Sequence, residues 1–535
     1  MDDSSERINV KELSNKFFID IFEITNDELY ILGSIKTRNA DENIEVKINH
    51  SKINVNKLYF HEKEYLKENN INSHYIEFRF PISENETYDI EFESENSEKF
   101  DIAFSKHCNF SRVVGYSMTK KYISIIHGNT ITIQKKTTTK WLKQEAKAIF
   151  NMLKGKNRQT LIVIPFRIAY LLGYPFLKNK RIWFYMDRPD IADDNGMHLF
   201  KYAVKQDPEI KKYFIINKNS RDYPEMKKIG NVLPFQSLKH RYLTLFAENI
   251  IASHPENSVI YPFWKSFPYY AGILKSKTTF LQHGIIKDDI STWLNKSEMN
   301  LSMFVTSASK EYESVFKHKY NYDENVVKLT GMPRFDNLKN EKDKKQILIM
   351  PSWRNYLKDK PPEEIIQSGL FKRFNSLLNN DKLIKIAKEN DYEIIFRPHF
   401  HIYKFIDLFE INDYVKIEPQ ETKYQQLFNN GSLLITDFSS VVFDFAYLKK
   451  PVIYYQYCND YHFDVENAYF NYETMGFGEV CRSEDELIDL IEDYMKNDCK
   501  MKDKYLRRVD EFYLYTDKNN CKRVHETIKK IPPRS

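Results

Sequence analysis

The sequence predicts an α/β protein in which two doubly wound halves follow a small β-rich, sandwich-like domain. Three observations support this fold class. From about residue 158 onward, short apolar segments alternate with helical stretches, and the same pattern begins again after about residue 332. Residues 15–133, by contrast, contain strand-like segments only. With 535 residues the chain has room for about three domains, at roughly 150 residues each.

Residues 1–135 are predicted to form the β-rich accessory domain. Segments such as KFFIDIFEI, ELYILGSIKT and YIEFRFPI alternate apolar and polar residues or are largely apolar, and polar turns separate them. Short strands at this spacing are typical of an antiparallel sandwich. This part of the sequence contains no recognisable catalytic grouping, so we expect it to serve as an accessory module.

Residues 136–157 are predicted to form a basic amphipathic linker helix, which begins after a threonine cap. Five lysines and one glutamate lie between Lys140 and Lys156. Two interpretations stand: a helix that lies on an anionic membrane surface, or an interdomain helix with a solvated lysine face. The apolar residues that can share one face are Trp141, Leu142, Ile149, Met152 and Leu153.

Residues 158–332 and 333–535 are predicted to be two Rossmann-like domains, the second ending in closing helices. The predicted strand segments of the first are TLIVIPF, RIWFYM, KYFIINK, ENIIASH, TTFLQHG and MFVTSAS. The second repeats the pattern with QILIMPSWR, YEIIFRPHF, LLITDF and KPVIYY. Two such domains in succession predict a ligand in the cleft between them, at the carboxyl ends of the strands.

Bulk composition excludes several classes of protein. Charged residues make up 29% of the chain but the net charge is only +5, which argues against a dedicated nucleic-acid binder. Five dispersed cysteines without a CxxC pair indicate reduced thiols in a cytosol. The polar N-terminal stretch is not a signal peptide, and no apolar run of roughly 18 residues is evident, so no transmembrane helix is predicted. We therefore expect a soluble or peripheral protein inside the cell.

The first candidate group lies in TTFLQHGIIKDD. His283 at a strand end can act as a general base near neutral pH, and Gly284 lets the backbone turn closely past it. A structural histidine is the alternative.

In ILIMPSWR, Ser352 and Arg354 follow another strand, and the planar fork of arginine matches phosphate oxygens. For Arg354 a surface ion pair is the alternative.

The second candidate group lies in EIIFRPHF, where Arg397 and His399 flank a proline. The fixed geometry of proline would hold two cationic donors in the cleft, which suits a diphosphate whose leaving group gains charge. The alternative is a structural turn with exposed cations.

The third candidate group lies in LLITDFSSVVFDFAYL. The strand ends at Thr436, and Ser439 and Ser440 occupy cap positions of the helix that follows. Hydroxyls and free N–H groups at such a position bind phosphate readily, although ordinary capping by itself explains the segment slightly better. The charge of Asp437 is unsuited to direct phosphate contact, so we expect it to orient its neighbours or to accept a hydroxyl.

The sequence contains no Walker loop, GxGxxG, HExxH or clustered carboxylate metal site, which disfavours kinase, dehydrogenase and zinc hydrolase functions. No cofactor and no metal ion are predicted. Taken together, the candidate groups predict an anion-binding cleft between two α/β domains.

The ordered series QHGI, TGMPRFD, ILIMPSWR, IIFRPH and LLITDFSSVVFDFAYLKKPVIYY resembles the motifs of the CDP-glycerol glycerophosphotransferase family, the bacterial teichoic acid primases and polymerases. The resemblance spans about residues 160–480. It implies a GT-B fold, with an acceptor-side domain at 158–332 and a CDP-donor-side domain at 333–535. One departure is QHGIIKDD, where many members have a segment like WHGTPLK.

The resemblance also implies an activity: transfer of glycerol phosphate or ribitol phosphate from a CDP-linked donor to a hydroxyl of a lipid-linked glycan, with release of CMP. His283 would be the general base, and His399 would act with two arginines in stabilising the departing CMP. The implied donor-binding residues are Gly284, Arg334, Ser352, Arg354, Arg397, Thr436, Asp437, Ser439 and Ser440.

The implied location is peripheral, on the cytoplasmic face of the cell membrane, where the basic helix would meet an anionic surface. Homo-oligomers are left open and nucleic acid is not an expected partner. Two alternatives stand beside the transferase: a sugar-nucleotide glycosyltransferase of the same fold, and a non-catalytic scaffold at the membrane surface.

Overall fold

The computed structural model describes residues 15–39, 42–60, 64–155, 157–317, 319–341, 344–457 and 468–532. Four of the five cysteines lie within these ranges, and they are buried, free thiols, as predicted; Cys458 lies outside the described residues. The domain limits proposed from the sequence stay predictions.

The N-terminal module is a β-sandwich, as the sequence predicts. Its elements are β1 (Lys16–Thr25), β2 (Glu28–Thr37), β3 (Ile44–Ile48), β4 (Ser51–Ile53), β5 (Asn56–Leu58), α1 (Glu64–Glu68), β6 (Asn72–Pro81), β7 (Tyr88–Ser94), β8 (Asp101–Phe104), β9 (Tyr116–Met118), β10 (Tyr122–His127) and β11 (Thr130–Lys135). The two sheets have the orders β5-β6-β2-β1-β8 and β4-β3-β7-β11-β10-β9. Only β1 and β8 pair in parallel among these strands. Phe17 of one sheet stacks on Phe92 of the other at 4.0 Å between ring centroids, so the apolar faces share one core.

Two long helices, α2 (Thr138–Lys154) and α3 (Thr160–Leu177), connect the sandwich to the α/β domains. The prediction of a strand at TLIVIPF is wrong, because these residues begin α3. A short apolar run fits a strand or a buried helix equally well by periodicity, and its length decides between them. Here the apolar run continues to Leu177, which is too long for a strand.

The buried side of α2 is formed by Trp141, Glu145, Ala148 and Met152, which follow helical spacing. The predicted apolar face is therefore wrong in part, since the leucines predicted to lie beside Trp141 and Met152 are on the solvent side. The carboxylate of Glu145 accepts two hydrogen bonds of 2.6 Å from the fully buried guanidinium of Arg167 in α3. This ion pair fixes the two helices against each other.

Helix α3 is long and apolar enough to cross a membrane by length and composition, and 28% of it is buried in the protein. The sequence-based prediction that no such segment exists is therefore wrong. The polar side chain of Arg167 lies within this helix but faces the protein, so the apolar character of the outer side is uninterrupted.

The first α/β domain has a seven-stranded parallel sheet of order β14-β13-β12-β15-β16-β17-β18. Because the strands are parallel, all their carboxyl ends lie at one edge of the sheet. The elements are β12 (Ile182–Met186), α4 (Asn195–Ala203), β13 (Lys211–Ile216), α5 (Tyr223–Ile229), β14 (Val232–Pro234), α6 (Leu238–Thr244), β15 (Asn249–Ala252), α7 (Asn257–Ile260), α8 (Phe267–Tyr270), β16 (Lys277–Phe280), β17 (Met303–Thr306), α9 (Ser309–Lys317) and β18 (Val327–Leu329).

The second α/β domain has a six-stranded parallel sheet of order β21-β20-β19-β22-β23-β24. The elements are β19 (Gln346–Ile349), α10 (Pro362–Ile365), α11 (Gly369–Leu378), α12 (Asp381–Glu389), β20 (Glu393–Phe396), α13 (Phe400–Tyr403), β21 (Val415–Ile417), α14 (Tyr424–Asn430), β22 (Leu433–Thr436), α15 (Val441–Tyr447), β23 (Val452–Tyr455), α16 (Tyr472–Met475), β24 (Gly478–Cys481), α17 (Glu484–Lys496), α18 (Asp503–Phe512) and α19 (Asn520–Lys530).

The last helix, α19, packs against the first α/β domain. Its Val524 and Ile528 share a core with Trp183 of β12. Asp336, in the short helix Pro333–Asn337 that joins the two domains, accepts backbone hydrogen bonds of 2.8 and 2.7 Å from the first residues of α19. The connection between the domains and the end of the chain therefore form one packed unit beside the cleft.

Candidate active site

The two α/β domains meet where the loop after β16 faces the turn between β22 and α15. A Cβ atom placed on Gly284 would lie 3.0 Å from Oγ of Ser440. Glycine therefore allows the loop that carries His283 to approach the serine turn of the other domain. Two of the sequence-predicted groups are brought together at this point.

The backbone just before His283 is held in an unusual conformation. Gln282 has a φ of +64°, which costs a non-glycine residue about 1–3 kcal/mol. Its buried side chain donates a hydrogen bond to Oε1 of Glu311 at 2.9 Å, and its carbonyl accepts one from Nδ2 of Asn195 at 2.9 Å. These contacts stabilise the turn and direct the next side chain outward.

Glu311 anchors the same loop from below. Its carboxylate also accepts backbone hydrogen bonds from Ile286 at 2.9 Å and from Ser307 at 2.7 Å. Burial raises the pKa of Glu311 to about 7, although these hydrogen bonds oppose the rise. The loop is thus built on a carboxyl group buried beneath the cleft.

His283 is largely exposed, and two residues of its own domain hold its ring. Its Nδ1 atom lies 3.6 Å from Oδ2 of Asp194, the cap residue of α4. The ring of His254 stacks on it, with centroids 5.0 Å apart and an interplanar angle of 25°. With Nδ1 directed at the carboxylate, Nε2 is left to accept a proton from the cleft, which is the geometry of a general base.

Asp194 stays ionised in this position. Burial by itself would raise the pKa of Asp194, but the Arg334 guanidinium and His283 lower it to about 2. The Arg334 Nη1 atom donates to Asp194 at 2.8 Å and to the carbonyl of His283 at 2.6 Å. A negative charge is therefore fixed beside the ring that would become positive during proton transfer.

Arg334 links the two domains. Besides its contacts to the first domain, it donates a bidentate pair of hydrogen bonds, 2.6 and 2.7 Å long, to the carboxylate of Asp444 in α15. The family resemblance implied that Arg334 binds the donor. The contacts of Arg334 with Asp194, His283 and Asp444 join the two domains, and direct contact of Arg334 with the donor stays a prediction.

The loop that begins α4 depends on Asp187, which directly follows β12. Its carboxylate accepts hydrogen bonds from Ser253 Oγ at 2.6 Å and from the backbone of Asp194, Gly196 and Met197 at 2.8–3.2 Å. Burial and the nearby charge of Asp194 raise the pKa of Asp187 to about 7.

We expect Asp187→Asn to remove part of the pH dependence of stability. The unfolded carboxyl loses its proton near its ordinary pKa of 3.8 and the folded one only near 7, so stability from this group is full below about pH 4 and lost as pH rises through 7. Relative to the variant, wild type should lose up to roughly 4 kcal/mol between pH 4 and pH 8. Denaturant unfolding of both proteins at the two pH values measures this, and equal pH slopes would contradict it.

In the second α/β domain, Asp437 is fully buried and points away from the cleft. Its Oδ1 accepts hydrogen bonds from the backbone of Ser352 at 2.8 Å and of Phe438 at 2.7 Å, and its Oδ2 lies 3.0 Å from Nη1 of Arg354. Arg354 is also buried and donates to the Ser352 hydroxyl at 2.8 Å. The pair thus ties β19 to β22 beneath the serine turn, and direct donor contact by these residues stays a prediction.

Arg397 is buried as well. Its guanidinium donates hydrogen bonds to the carbonyls of Pro419 and Gln420 in the segment before α14. Thr436 also donates a hydrogen bond to a backbone carbonyl, from its hydroxyl to the carbonyl of Met350 at 2.7 Å. The sequence predicted donor contacts for both, and those contacts stay predictions.

His399 lies at the edge of the cleft and is only partly buried. Its Nδ1 accepts a hydrogen bond from the backbone of His401 at 3.3 Å, so the neutral ring carries its proton on Nε2. Burial, with His401 and Arg188 nearby, lowers the pKa of His399 to about 4. At neutral pH it is therefore a neutral hydrogen-bond donor, whereas the sequence predicted a cation.

Ser439 and Ser440 are the half-buried residues of the turn before α15. The Ser439 hydroxyl accepts a weak hydrogen bond from Val441 at 3.4 Å, and Ser440 is the cap residue but makes no side-chain capping bond. The capping interpretation is thus weak for Ser440, whose hydroxyl faces Gly284 across the cleft.

One group of side chains among the described residues has the composition of a metal site. The ligand atoms of Asp194, His254 and His283 all lie within 4.8 Å of one another. However, Arg334 already supplies a positive charge 2.8 Å from Asp194 and would repel a cation there. The arrangement fits a hydrogen-bonded base better than a metal centre.

Comparison with known proteins decides the family. Residues 166–530 match the model described as CDP-Glycerol:Poly(glycerophosphate) glycerophosphotransferase. The chain belongs to this family. It is 45% identical over 367 residues to the minor teichoic acid biosynthesis protein GgaB of Bacillus subtilis (strain 168), which covers 67% of this chain and 41% of GgaB.

A second curated relative has a lower sequence identity. The chain is 24% identical over 434 residues to the teichoic acid poly(glycerol phosphate) polymerase of the same strain, covering 74% of this chain and 55% of that protein. This chain thus spans about half the length of these two curated relatives. The structure of the wall teichoic acid polymerase TagF aligns with a TM-score of 0.52 at 17% identity, covering 74% of this chain and 98% of that chain. This likeness agrees with a GT-B-like fold of two Rossmann-like domains.

The family's motifs explain how the site was predicted, but several important residues lie outside those motifs. Asp187 directly follows β12, His254 lies two residues after β15, and Asp194 caps α4. The segments RIWFYM and ENIIASH were recognised as strands, so the same search of strand ends that found His283 would have found Asp187 and His254. Asp194 had a weaker signal: it directly precedes the helical stretch NGMHLFKYAVKQ, where aspartate is a common cap residue, but its partners His283 and Arg334 lie on distant segments.

Proposed function

We propose that this family member transfers glycerol phosphate, or the related ribitol phosphate, from a CDP-linked donor to a hydroxyl of a lipid-linked acceptor in the synthesis of a teichoic acid or capsule-like polymer, with release of CMP. The observation that carries the proposal is the arrangement of His283, backed by Asp194 at 3.6 Å, opposite the serine turn and His399 of the other domain. A TagF variant soaked with CDPG supports a donor of this class.

The acceptor hydroxyl oxygen attacks the β-phosphorus of the CDP-linked donor, and the bond from that phosphorus to the bridging oxygen of CMP breaks. His283 Nε2 takes the hydroxyl proton, and the CMP phosphate leaves with the bond's electron pair. Asp194 stabilises the resulting imidazolium through Nδ1, which is the role expected of a carboxylate that orients a catalytic base. Attack and departure on opposite sides of the phosphorus fit a cleft with the base on one wall.

The other wall supplies hydrogen-bond donors. His399 presents Nε2–H, and the hydroxyl of Ser440 lies at the point where the domains touch. Donors aimed at oxygens that gain negative charge lower the barrier without reorganising. The buried Arg354 and Arg397 strengthen this wall through the backbone that carries it.

The proposal is tested by incubating the protein with radiolabelled CDP-glycerol and a lipid-linked acceptor and measuring CMP release together with labelled product. CDP-ribitol and UDP-linked sugars serve as parallel donors. Turnover with a CDP-alditol supports the proposal. Turnover with a UDP-sugar alone would favour the glycosyltransferase, and no turnover with either CDP-alditol would overturn the proposal.

We also propose that the helices α2 and α3 bind the cytoplasmic face of an anionic membrane. The inner side of α3 packs on the protein through Val163, Arg167 and Tyr170, so the helix is expected to lie in the interface and not to cross it. Its outer side exposes apolar residues, with Leu172 at 72% and Phe176 at 76%. The exposed lysines of α2 and of the residues just after α3 are Lys140, Lys143, Lys147, Lys154, Lys178 and Lys180.

The variant Leu172→Ser/Phe176→Ser should bind vesicles containing phosphatidylglycerol at least tenfold more weakly than wild type, since burial of each side chain contributes about 1.5–3 kcal/mol. Vesicle sedimentation measures this at physiological salt, and Leu514→Ser, an exposed leucine at 53% exposure outside these helices, is the matched control. Equal binding by the double variant and wild type would contradict membrane docking by α3.

A further inference from the structure

Arg188 extends into the cleft from the wall that carries His283. It follows Asp187 at the carboxyl end of β12 and is exposed. Its guanidinium carbon lies 5.7 Å from the ring centroid of Phe400 on the other domain. Phe400 directly follows His399, so Arg188 reaches across to the predicted donor wall.

The nearby carboxylates are committed to other groups. Asp187 accepts from Ser253 and from the backbone that begins α4, and Asp194 pairs with Arg334. Asp193 accepts a hydrogen bond of 3.2 Å from the backbone of Tyr424. Within the described part of the chain, the guanidinium of Arg188 forms neither an ion pair nor a hydrogen bond.

Arg188 differs in this from the arginines that the family resemblance implied as donor-binding residues. Arg334 binds two carboxylates, Arg354 is buried against Asp437, and Arg397 donates to backbone carbonyls. Two histidines of the cleft, His254 and His399, add no positive charge at neutral pH. Burial, with His283 beside it, lowers the pKa of His254 to about 3, and Arg188 also contributes to this shift.

We propose that Arg188 binds the phosphate oxygens of a substrate in the cleft. The proposal rests on the proposed function for the identity of the substrate, since the phosphate belongs either to the CDP-linked donor or to a phosphate-bearing acceptor. Arginine suits this task because its planar fork donates two parallel hydrogen bonds to a phosphate. Arg188 lies on the same wall of the cleft as His283 and reaches toward His399. It would therefore hold the phosphate group between His283 and His399.

The decisive measurement is the binding of inorganic pyrophosphate by calorimetry to the full chain and to Arg188→Gln. We expect Arg188→Gln to weaken binding by roughly tenfold to a hundredfold, the effect of losing a hydrogen bond to a charged group. Arg188→Lys keeps the charge but loses the fork, and should fall between the two. Because Arg188 is exposed, the variants should melt at the wild-type temperature.

Arg181→Gln is the matched control. Arg181 precedes the opposite end of β12, where it makes two hydrogen bonds of 2.9 and 3.0 Å to Glu248. The substitution Arg181→Gln removes the same charge from the same domain, but at a position away from the cleft, so the affinity for pyrophosphate should be unchanged. Equal pyrophosphate affinity in Arg188→Gln and wild type, or no binding by wild type, would overturn the proposal.

Two further measurements identify the source of the phosphate. A matching rise in the Kd for CDP-glycerol assigns Arg188 to the donor, whereas an unchanged Kd with a raised KM for the lipid-linked acceptor assigns it to the acceptor. If wild type turns over no CDP-alditol but pyrophosphate binding still depends on Arg188, the proposed function fails and the anion site stands.

Discussion

His283→Ala is expected to lower kcat for CMP release by a factor of about 10²–10⁴, the usual contribution of a positioned general base. The imidazole is the group that takes the acceptor proton, and alanine leaves the rest of the loop in place. Because the loop is held by Gln282 and Glu311 and not by the imidazole, the variant should keep the wild-type melting temperature. Initial rates with saturating donor and acceptor measure the change.

The matched control for this experiment is His50→Ala, which removes a histidine with 87% of its side chain exposed on the β-rich module. Its rate should equal that of wild type. Asp194→Asn should reduce kcat in the same direction as His283→Ala, and the double variant should be little slower than His283→Ala, because the two residues act as one unit. A His283→Ala protein that releases CMP at the wild-type rate would refute the assignment of the base.

Asp437→Ala is expected to lower the free energy of unfolding of the second α/β domain by about 3–5 kcal/mol, the cost of removing one partner of a buried ion pair. The substitution leaves the charge of Arg354 in a fully buried position and removes the acceptor for two backbone N–H groups. Thermal and urea unfolding measure the loss.

Asp510→Ala is the matched control, because Asp510 pairs with Lys449 at 2.6 Å but both side chains are about half exposed. A surface pair of this kind contributes about 0–1 kcal/mol. Combining Arg354→Met with Asp437→Ala should restore part of the stability, since no buried charge is then left. If Asp437→Ala melted like Asp510→Ala, Asp437 would not be the structural partner of Arg354.

Much of the fold followed from local sequence patterns. The β-sandwich and the order of strands and helices in both α/β domains depend on hydrophobic periodicity and strand length, which are properties of consecutive residues. The failure at TLIVIPF shows the limit of this reasoning. These seven residues, six of them apolar, fit a strand by themselves, but the apolar run continues to Leu177, and a segment of 18 residues is too long for a strand and forms the helix α3.

For the candidate site, too, some features followed from the local sequence and others only from the tertiary structure. The sequence by itself determined which residue types stand at strand ends, and so predicted His283, His399 and the serine turn. Only the tertiary structure decided which of them face the cleft. Asp437 lies 85 positions after Ser352 in the chain, and the hydrogen bond between these two residues directs the carboxylate of Asp437 inward. Arg188 forms no ion pair within the described residues, and the carboxylates near it are held by other partners. Burial and pairing join residues far apart in the chain, and a local pattern does not contain that information.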